Sequence, residues 1–458
     1  MTSTDPGPDG EPIPAGPVGA ERLAGHPALT SGALLAAVMV TALNLRPAVT
    51  SVGALLPEIQ AAVGMSAAAA GVLTSLPVVA FGVVAFAANH LARRLGLLPA
   101  LVLATSAIAV GLALRVAVPR TGWLLATSLL ALAGIAIGNV LLPVAVRAWF
   151  PDRVGPATGW YAIALSVGTA LPAAVAVPIA AVLGGWRPGL GFWALPAAIA
   201  VVPWAVAVRR DRARTEVAAA RPPPAPSRTT ASEAAVPPAD VPGRPAPPAT
   251  SMGAPAPPVG VQPVGVHRRL QSWALAGYLG IQSLEAYVIM GWLPTILREA
   301  GVEAATAGAM LGVAMVVGGP VALVIPRLAG RSDDQRVYVA GLALLSLAGY
   351  LGLLLAPAAA PLLWTVLLGF GLGAFPLALL LLGLRAATPA GTAALSSLAQ
   401  GAGYLLAATG PVTIGILRDR TGSWTVPLLV LLTLLLPKLL AGLVAARPGH
   451  VDDPAGGR

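Results

Sequence analysis

The stretch Asn44-Leu45-Arg46-Pro47 interrupts an apolar run that covers residues 28–59. A charge at mid-membrane depth costs roughly 3 kcal/mol on insertion scales, so a bilayer tolerates it only where it faces protein, water or a counter-ion. Pro47 lacks the backbone N–H that a helix interior needs, which predicts a kink beside the charge. The stretch therefore predicts a membrane helix with Arg46 facing a cavity that the rest of the chain builds.

The composition is that of an integral membrane protein. Of 458 residues, 57% are hydrophobic and only 10% are charged, whereas a soluble protein has about 25% charged residues. The net charge of +10 comes from arginines that gather between apolar segments, which indicates orientation in a membrane and no nucleic-acid partner. The absence of cysteine excludes disulfides, thiolate metal sites and cysteine catalysis. We expect neither a cofactor nor a metal.

Twelve apolar segments are long enough to span a bilayer, which takes roughly 20 residues each. They do not alternate as barrel strands would, so the predicted fold is an all-α membrane protein with six helices in each half. The predicted segments cover residues 29–59, 67–92, 98–118, 123–149, 154–183, 191–208, 270–297, 304–328, 337–356, 362–387, 392–417 and 426–445.

The composition changes abruptly between the halves and at both ends of the chain. The middle region starts with four arginines and continues as a Pro/Ala/Ser tract that cannot bury a core. The predicted organisation is a disordered tail at 1–27, a six-helix half at 28–208, a disordered Pro-rich linker at 209–268, a second half at 269–446 and a tail at 447–458.

The distribution of arginine predicts the orientation of the chain. An even number of spans puts both termini and the basic linker on the same side, and positive loops stay cytoplasmic. We expect both termini inside, in a multi-pass protein of the cytoplasmic membrane. The N-terminal region lacks a secretory signal, so the first helix is expected to direct insertion.

The two halves are related in sequence. A shift of 237 residues aligns five positions without a gap, namely Pro57 with Pro294, Gly64 with Gly301, Gly71 with Gly308, Gly82 with Gly319, and Arg94 with Arg331. Parallel repeats of this kind place a substrate site at their interface, near the bilayer midplane, with the halves rocking around it.

Five stretches share a pattern with a known family. They are Asn44-Leu45-Arg46-Pro47 with its continuation to Ile59, Gly138-Asn139-Val140-Leu141-Leu142-Pro143 with Phe150-Pro151, Gln282-Ser283 with Trp292-Leu293-Pro294, Gly373-Ala374-Phe375-Pro376, and Ala399-Gln400-Gly401 with Gly403-Tyr404-Leu405 and Gly410-Pro411. These residues resemble the major facilitator superfamily, and specifically its cyanate and nitroimidazole branch. The resemblance covers nearly all spans and implies the major facilitator fold, whereas members of this branch are assigned chemically different solutes.

The loop after the second helix departs from the family pattern. It keeps the basic residues Arg93 and Arg94 but lacks the acidic residue that usually stands among them. The ion pairs that close the inner face are therefore expected to be weak, and contacts with helix dipoles are expected to keep that face closed. The candidate gating residues are Pro47, Arg93, Arg94 and Arg331.

Arg46 and Glu285 are the main charges at mid-span depth. The shift of 237 residues aligns Arg46 with Ser283, two positions from Glu285. One hypothesis is that they pair in the empty protein and that an anionic or polar substrate competes for Arg46. The alternative is a permanent ion pair that holds the halves together. The other predicted substrate-binding residues are Asn44, Gln282, Asn139, Tyr161, Gln400 and Tyr404. Asn44, Asn139 and Tyr161 could instead make interhelical hydrogen bonds.

Two carboxylates are candidates to carry a coupling proton. Glu285 is buried in a span and Glu58 lies near the outer end of the first helix, where a solvated role is the alternative. Lys438, deep in the last span, is expected to extend its flexible stem to the cytoplasmic interface.

The sequence favours a monomeric secondary transporter that moves a small polar or anionic organic solute, with protons as a candidate coupling ion. Efflux of nitroimidazole-like or other heteroaromatic drugs is the competing transport function. An enzyme would need convergent nucleophiles, acid–base groups or metal ligands, and the four histidines all lie in termini or loops. A non-transporting receptor is the remaining alternative.

Overall fold

The computed structural model describes residues 29–117, 120–220 and 266–452, and these form a bundle of twelve membrane-crossing helices that we number spans 1 to 12. Spans 1 to 6 form the N-terminal half and spans 7 to 12 the C-terminal half. In chain order the spans are Ser31–Leu43 with Pro47–Ala54 and Leu56–Val63, then Ala67–Leu95, Leu97–Leu114, Thr121–Trp149, Val154–Val182, Ala194–Ala220, Leu270–Glu299, Ala304–Gly330, Arg336–Leu355, Pro361–Gly371 with Ala374–Leu384, Pro389–Thr421, and Thr425–Ala445.

Spans 7 and 11 lack the long apolar stretch that the other ten spans contain. Ten helices of the described chain are long and apolar enough to cross a membrane by composition alone, and these two are not among them. Spans 7 and 11 have 30 and 33 residues, which is more than the roughly 20 that a bilayer requires. Their polar residues include Gln282, Glu285, Gln400 and Tyr404, so these helices need partners other than lipid.

Span 1 is broken where the sequence predicts a kink. Its first helix ends at Leu43, and a new helix starts at Pro47 with Arg46 as its N-cap residue, at φ −122° and ψ −26°. Proline suits the first position of a helix because its fixed φ fits the turn and the N–H that it lacks has no intrahelical partner there. The break therefore fixes the depth of Arg46 in the membrane.

Gly168 lets span 5 pack directly against this break. A Cβ at position 168 would collide with the carbonyl oxygen of Leu43, and its nearest further atoms would be the Leu43 C and Cα at 2.8 Å. Only glycine therefore allows the two backbones to approach so closely. The contact holds the interrupted segment inside the N-terminal half.

The predicted boundary between the first half and the linker is wrong. Span 6 continues as a helix to Ala220 and so includes residues assigned to the linker at 209–268. The added segment is rich in arginine and alanine, which are strong helix formers, so the helix continues after the apolar sequence ends. Residues 221–265, like the predicted tail at 1–27, lie outside the described residues.

The start of the C-terminal tail packs against the second half. Val451 is buried, and the Asp452 carboxylate accepts hydrogen bonds from Ala387 N at 2.8 Å and from Thr388 N at 2.9 Å. Burial alone would raise the pKa of Asp452, but these hydrogen bonds lower it below its usual value. The carboxylate thus caps the start of span 11, where a negative charge is favourable.

The halves pack closely at the face opposite the termini, where several glycines leave out the side chains that would keep the helices apart. A Cβ at Gly71 of span 2 would collide with the Pro411 carbonyl oxygen of span 11. Gly53 of span 1 meets the Met290 carbonyl oxygen of span 7 in the same way, and a Cβ at Gly312 of span 8 would lie 3.1 Å from the Ala170 oxygen of span 5.

Candidate substrate cavity

A cavity of about 570 Å³ lies between the two halves. Its volume is within the range of roughly 300–1,000 Å³ that small-molecule sites occupy. Side chains with polar or aromatic groups come from both halves: Arg46, Phe81, Asn139, Ser166 and Thr169 from the first, and Gln282, Ser283, Tyr287, Gln400 and Tyr404 from the second. The cavity therefore lies at the seam of the two repeats.

Arg46 is half-buried on the cavity wall. No carboxylate of the described chain lies within 4 Å of its guanidinium, whose Cζ lies 5.6 Å from the centre of the Phe81 ring. The hydroxyls of Tyr287 and Tyr404 also lie within the range of its charge. A planar cation among aromatic rings suits a planar anion, because the guanidinium donates two parallel hydrogen bonds to such a group.

Asn44 does not line the cavity, which corrects its prediction as a substrate ligand. It is 3% exposed, and its amide donates to the carbonyls of Val40 at 2.8 Å and Pro196 at 3.2 Å. These bonds satisfy a carbonyl near the end of the first helical segment and attach it to span 6. Asn44 therefore stabilises the break rather than contacting a solute.

Glu285 pairs with Lys438, so the predicted pair with Arg46 is wrong. The Lys438 ammonium lies 2.5 Å from Glu285 Oε2, and the two side chains are 1% and 3% exposed. Glu285 does not line the cavity, although its helical neighbours Gln282 and Ser283 do. The expectation that Lys438 extends to the interface is also wrong, because the ammonium binds a buried carboxylate inside the C-terminal half.

The remaining predicted ligands lie at or near the cavity. Asn139, Gln282, Gln400 and Tyr404 line it, and Gln400 also donates to Ser396 Oγ at 2.7 Å. Tyr161 is not part of the lining, although its hydroxyl lies within range of the Arg46 charge.

Four polar or aromatic residues that line the cavity were not predicted from the sequence. Phe81, Ser166, Thr169 and Tyr287 were not singled out from the sequence. Small hydroxyls and single aromatic rings are common in spans that face other helices, so they carry no distinct sequence signal.

Arg115 is a buried arginine directly after the helix of span 3. It is 1% exposed, its Nε donates to Ser128 Oγ at 3.0 Å, and its Nη1 donates to the Ala48 carbonyl at 2.9 Å. Ala48 lies two residues after Arg46, so Arg115 fixes the helix that carries the cavity arginine.

Charged side chains join the halves at the face opposite the termini. Arg298 Nη1 lies 2.7 and 2.8 Å from the two carboxylate oxygens of Glu58, and Asp419 accepts hydrogen bonds from Ala67 N and Ala68 N at 2.8 Å each. Glu58 is therefore paired across the two halves in this state, and its role as a proton carrier remains a prediction. Together with the glycine contacts, these bonds close the cavity on this face.

We expect Glu58→Gln to shift the protein toward a state that is open on this face. Partly exposed ion pairs contribute up to about 1 kcal/mol, which corresponds to about a fivefold change in the ratio of states. The measurement is the rate at which a single cysteine at position 74 is labelled. Thr74 is buried where the halves meet on this face, and the natural chain has no cysteine.

Glu299→Gln is the matched control. Glu299 forms an ion pair with Arg418 on the same face, but both residues belong to the C-terminal half. Equal labelling rates in the two variants would contradict a role for Glu58 in joining the halves, and recovery in the charge-reversed pair Glu58→Arg with Arg298→Glu would support it.

The predicted gating arginines lie on the terminus side. Arg93, Arg94 and Arg331 are all exposed at the ends of spans 2 and 8. Their gating role remains a prediction. Pro47 is buried and initiates the second helix of span 1, so its structural role is the break itself.

An apolar crevice of about 1,150 Å³ separates spans 5 and 8 toward the terminus side. It shares Ser166, Gly319 and Ala322 with the cavity, and Arg327 is the charged residue in its lining. Ile163, Val316 and Leu323 on its walls are more than half exposed. The crevice therefore gives the cavity a lateral route with apolar walls.

Comparison with known proteins identifies one family. The family model described as Major Facilitator Superfamily matches residues 31–411. The chain is 33% identical over 419 residues to the 2-nitroimidazole transporter of Escherichia coli strain K12, covering 91% of this chain and 96% of that protein. It is 29% identical over 392 residues to the cyanate transport protein CynX of the same organism, covering 85% of this chain and 91% of that protein.

The helical arrangement is also similar to solved structures. The D-xylose-proton symporter superposes with a TM-score of 0.65 at 13% sequence identity, covering 92% of this chain and 98% of that one. At this identity the similarity concerns the fold alone.

Proposed function

The chain belongs to the major facilitator superfamily of secondary transporters, and we propose that it carries a small polar or anionic organic solute bound at Arg46. It is a multi-pass protein of the inner membrane and not an enzyme, since its family and relatives are transporters. The observation that carries the proposal is an arginine on the wall of an inter-half cavity, with no carboxylate of the described chain in reach.

Energetics support an anion as the preferred solute. An arginine inside a membrane is costly unless its charge is balanced, and the cavity provides rings and amides in place of a carboxylate. A bound carboxylate or similar group supplies the missing charge. Tyr287, Tyr404 and Phe81 suit the faces of a planar solute, while Asn139, Gln282 and Gln400 supply hydrogen bonds to its polar edge.

The structure corresponds to one end of an alternating-access cycle. With both termini cytoplasmic, the sealed face is external and the crevice between spans 5 and 8 belongs to the cytoplasmic side. We propose that this state faces inward and that the halves rock about the cavity to expose Arg46 to the outside. The protein acts as a monomer in the lipid bilayer, because each chain contains both halves of the cavity.

Efflux of nitroimidazole-like or other heteroaromatic compounds is the second candidate function. The observation that favours it is the apolar crevice, which an uncharged ring could enter from the inner leaflet. The fact that one relative is a 2-nitroimidazole transporter is consistent with this route. For such a solute Arg46 would act as a hydrogen-bond donor only.

Uptake into proteoliposomes separates the two functions. We expect radiolabelled cyanate, or benzoate in a panel of small organic anions, to exchange across vesicles that contain the protein, and 2-nitroimidazole to exchange more slowly. Rapid exchange of 2-nitroimidazole without any anion flux would favour efflux of heteroaromatic compounds. Binding without flux of any of these solutes would instead indicate a receptor.

A further inference from the structure

The Glu285–Lys438 pair lies in a cluster of buried polar groups inside the C-terminal half. Glu285 Oε1, the oxygen that does not contact Lys438, is buried and has no hydrogen-bond partner in the described chain. The hydroxyls of Tyr278 and Tyr350 are buried and unpartnered in the same way, and both lie within range of the Glu285 charge. These three oxygens can accept or donate hydrogen bonds beyond those that the protein provides.

The cluster extends to the substrate cavity. Gln282 precedes Glu285 by one helical turn on the same face of span 7, and both Gln282 and Ser283 line the cavity. Gln282 Oε1 and Ser283 Oγ are also buried without a partner. Buried polar groups of this kind are ordinarily satisfied by ordered water, so the cluster suits a short water path from the cavity to Glu285.

A role in protein stability alone does not account for the Glu285–Lys438 pair. Replacing a buried ion pair by apolar residues is often neutral or stabilising, so such a pair is weak evidence for a role in stability alone. A charged pair inside a membrane span is more often part of an ion or proton path. The specific feature that stability does not explain is a buried, unpartnered carboxylate oxygen one helical turn from the cavity-lining Gln282.

We propose that Glu285, held by Lys438, is the proton-binding site that couples solute transport to the proton gradient. A proton from cavity water adds to Glu285 Oε1 and converts the carboxylate to a carboxylic acid, while Lys438 remains an ammonium ion. No other bond forms or breaks. The pair changes from neutral to a net charge of +1, and the proton leaves by the reverse step when the cavity opens to the other side.

This step rests on the proposed function, because the charge change couples the proton to an anion. Protonation leaves Lys438 without a counter-charge in a low-dielectric interior, and an anion in the cavity offsets that charge. Binding of the proton therefore raises the affinity for the anion, and binding of the anion raises the affinity for the proton by the same factor. The charged and titratable groups that face Glu285 in the described chain are Lys438 from span 12, Tyr350 from span 9 and Tyr278 from span 7.

Glu285→Gln tests the proposal, since the amide oxygen can still accept from Lys438 but cannot bind a proton. In proteoliposomes, an inward gradient of one pH unit supports about tenfold accumulation of an anion carried with one proton. For [14C]cyanate we expect this accumulation in the parent protein, and in Glu285→Gln we expect exchange without accumulation. Accumulation by Glu285→Gln equal to that of the parent would overturn the proposal.

A double variant covers the case in which Glu285→Gln does not fold, because Lys438 then stays buried beside a neutral group. Glu285→Gln with Lys438→Met removes both charges, so we expect a folded protein that exchanges cyanate without a pH response. Proton-driven accumulation by the double variant would show that the pair is structural and overturn the proposal.

A second readout needs no solute. Infrared titration of the purified parent should reveal a buried carboxyl group that is absent from Glu285→Gln and from the double variant. Identical carboxyl spectra in the three proteins would overturn the assignment even if no anion were transported. Failure of cyanate exchange in the parent, with the carboxyl signal present, would count against the proposed anion function and leave the proton site supported.

Discussion

Substitution Arg46→Gln is expected to raise the KM for a transported anion by about 10- to 100-fold, because hydrogen bonds to charged groups contribute roughly 1.5–3 kcal/mol. Glutamine retains a donor at similar length but removes the charge. Arg46→Lys keeps the charge and loses the planar pair of donors, so we expect an intermediate loss. The measurement is the initial rate of [14C]cyanate or benzoate uptake into proteoliposomes as a function of concentration.

Arg420→Gln is the control for a general effect of removing one positive charge. Arg420 is exposed at the end of span 11 and away from the cavity. The KM of the Arg420→Gln variant should match that of the parent protein. Full activity in Arg46→Lys would exclude bidentate recognition, and an unchanged KM in Arg46→Gln would exclude Arg46 as the anion site.

Substitution Gly71→Ala is expected to open the sealed face and abolish most transport. The added Cβ would collide with the Pro411 carbonyl oxygen and lie 2.7 Å from Val412 Cα, so spans 2 and 11 must separate. Overpacking of this kind costs about 1–3 kcal/mol, which would shift the ratio of the two states by about 5- to 150-fold. A cysteine at Thr74, which faces Gly291 across the seal, should then react faster with a maleimide.

Gly82→Ala is the matched control in the same helix. No atom of another helix lies within 4 Å of a Cβ built at Gly82, so transport and labelling should stay at parental levels. If Gly71→Ala transported normally and left the cysteine protected, the glycine contact would not hold the closed face.

The fold could be predicted from the sequence because few arrangements of these apolar segments are compatible with a membrane. The lengths of the apolar segments determined the spans, and the cost of burying Arg46 required a cavity around it. The repeat placed that cavity between the halves, and Gly71 and Gly308 of the aligned pairs both lie where the halves meet. The end of span 6 was misplaced because Arg209 and its neighbours remain helical after the apolar run ends.

The partner of Glu285 could not be predicted from the sequence. Lys438 is 153 residues away, and its flexible stem allows either a buried ammonium or one at the interface. The rotation of span 12 decides between them, and that rotation depends on packing. The prediction that Asn44 binds the solute was wrong for the same reason, since spacing along a helix shows which residues share a face but not which neighbour that face meets.

The most direct test of an anion site at Arg46 is ligand-dependent thermal stability of the purified protein. Melting temperature is measured for the parent and Arg46→Gln with cyanate, benzoate or 2-nitroimidazole added in turn. The proposed function predicts that at least one anion stabilises the parent and has no effect on Arg46→Gln. Equal stabilisation of both proteins by every ligand that binds, or stabilisation by 2-nitroimidazole alone, would contradict it.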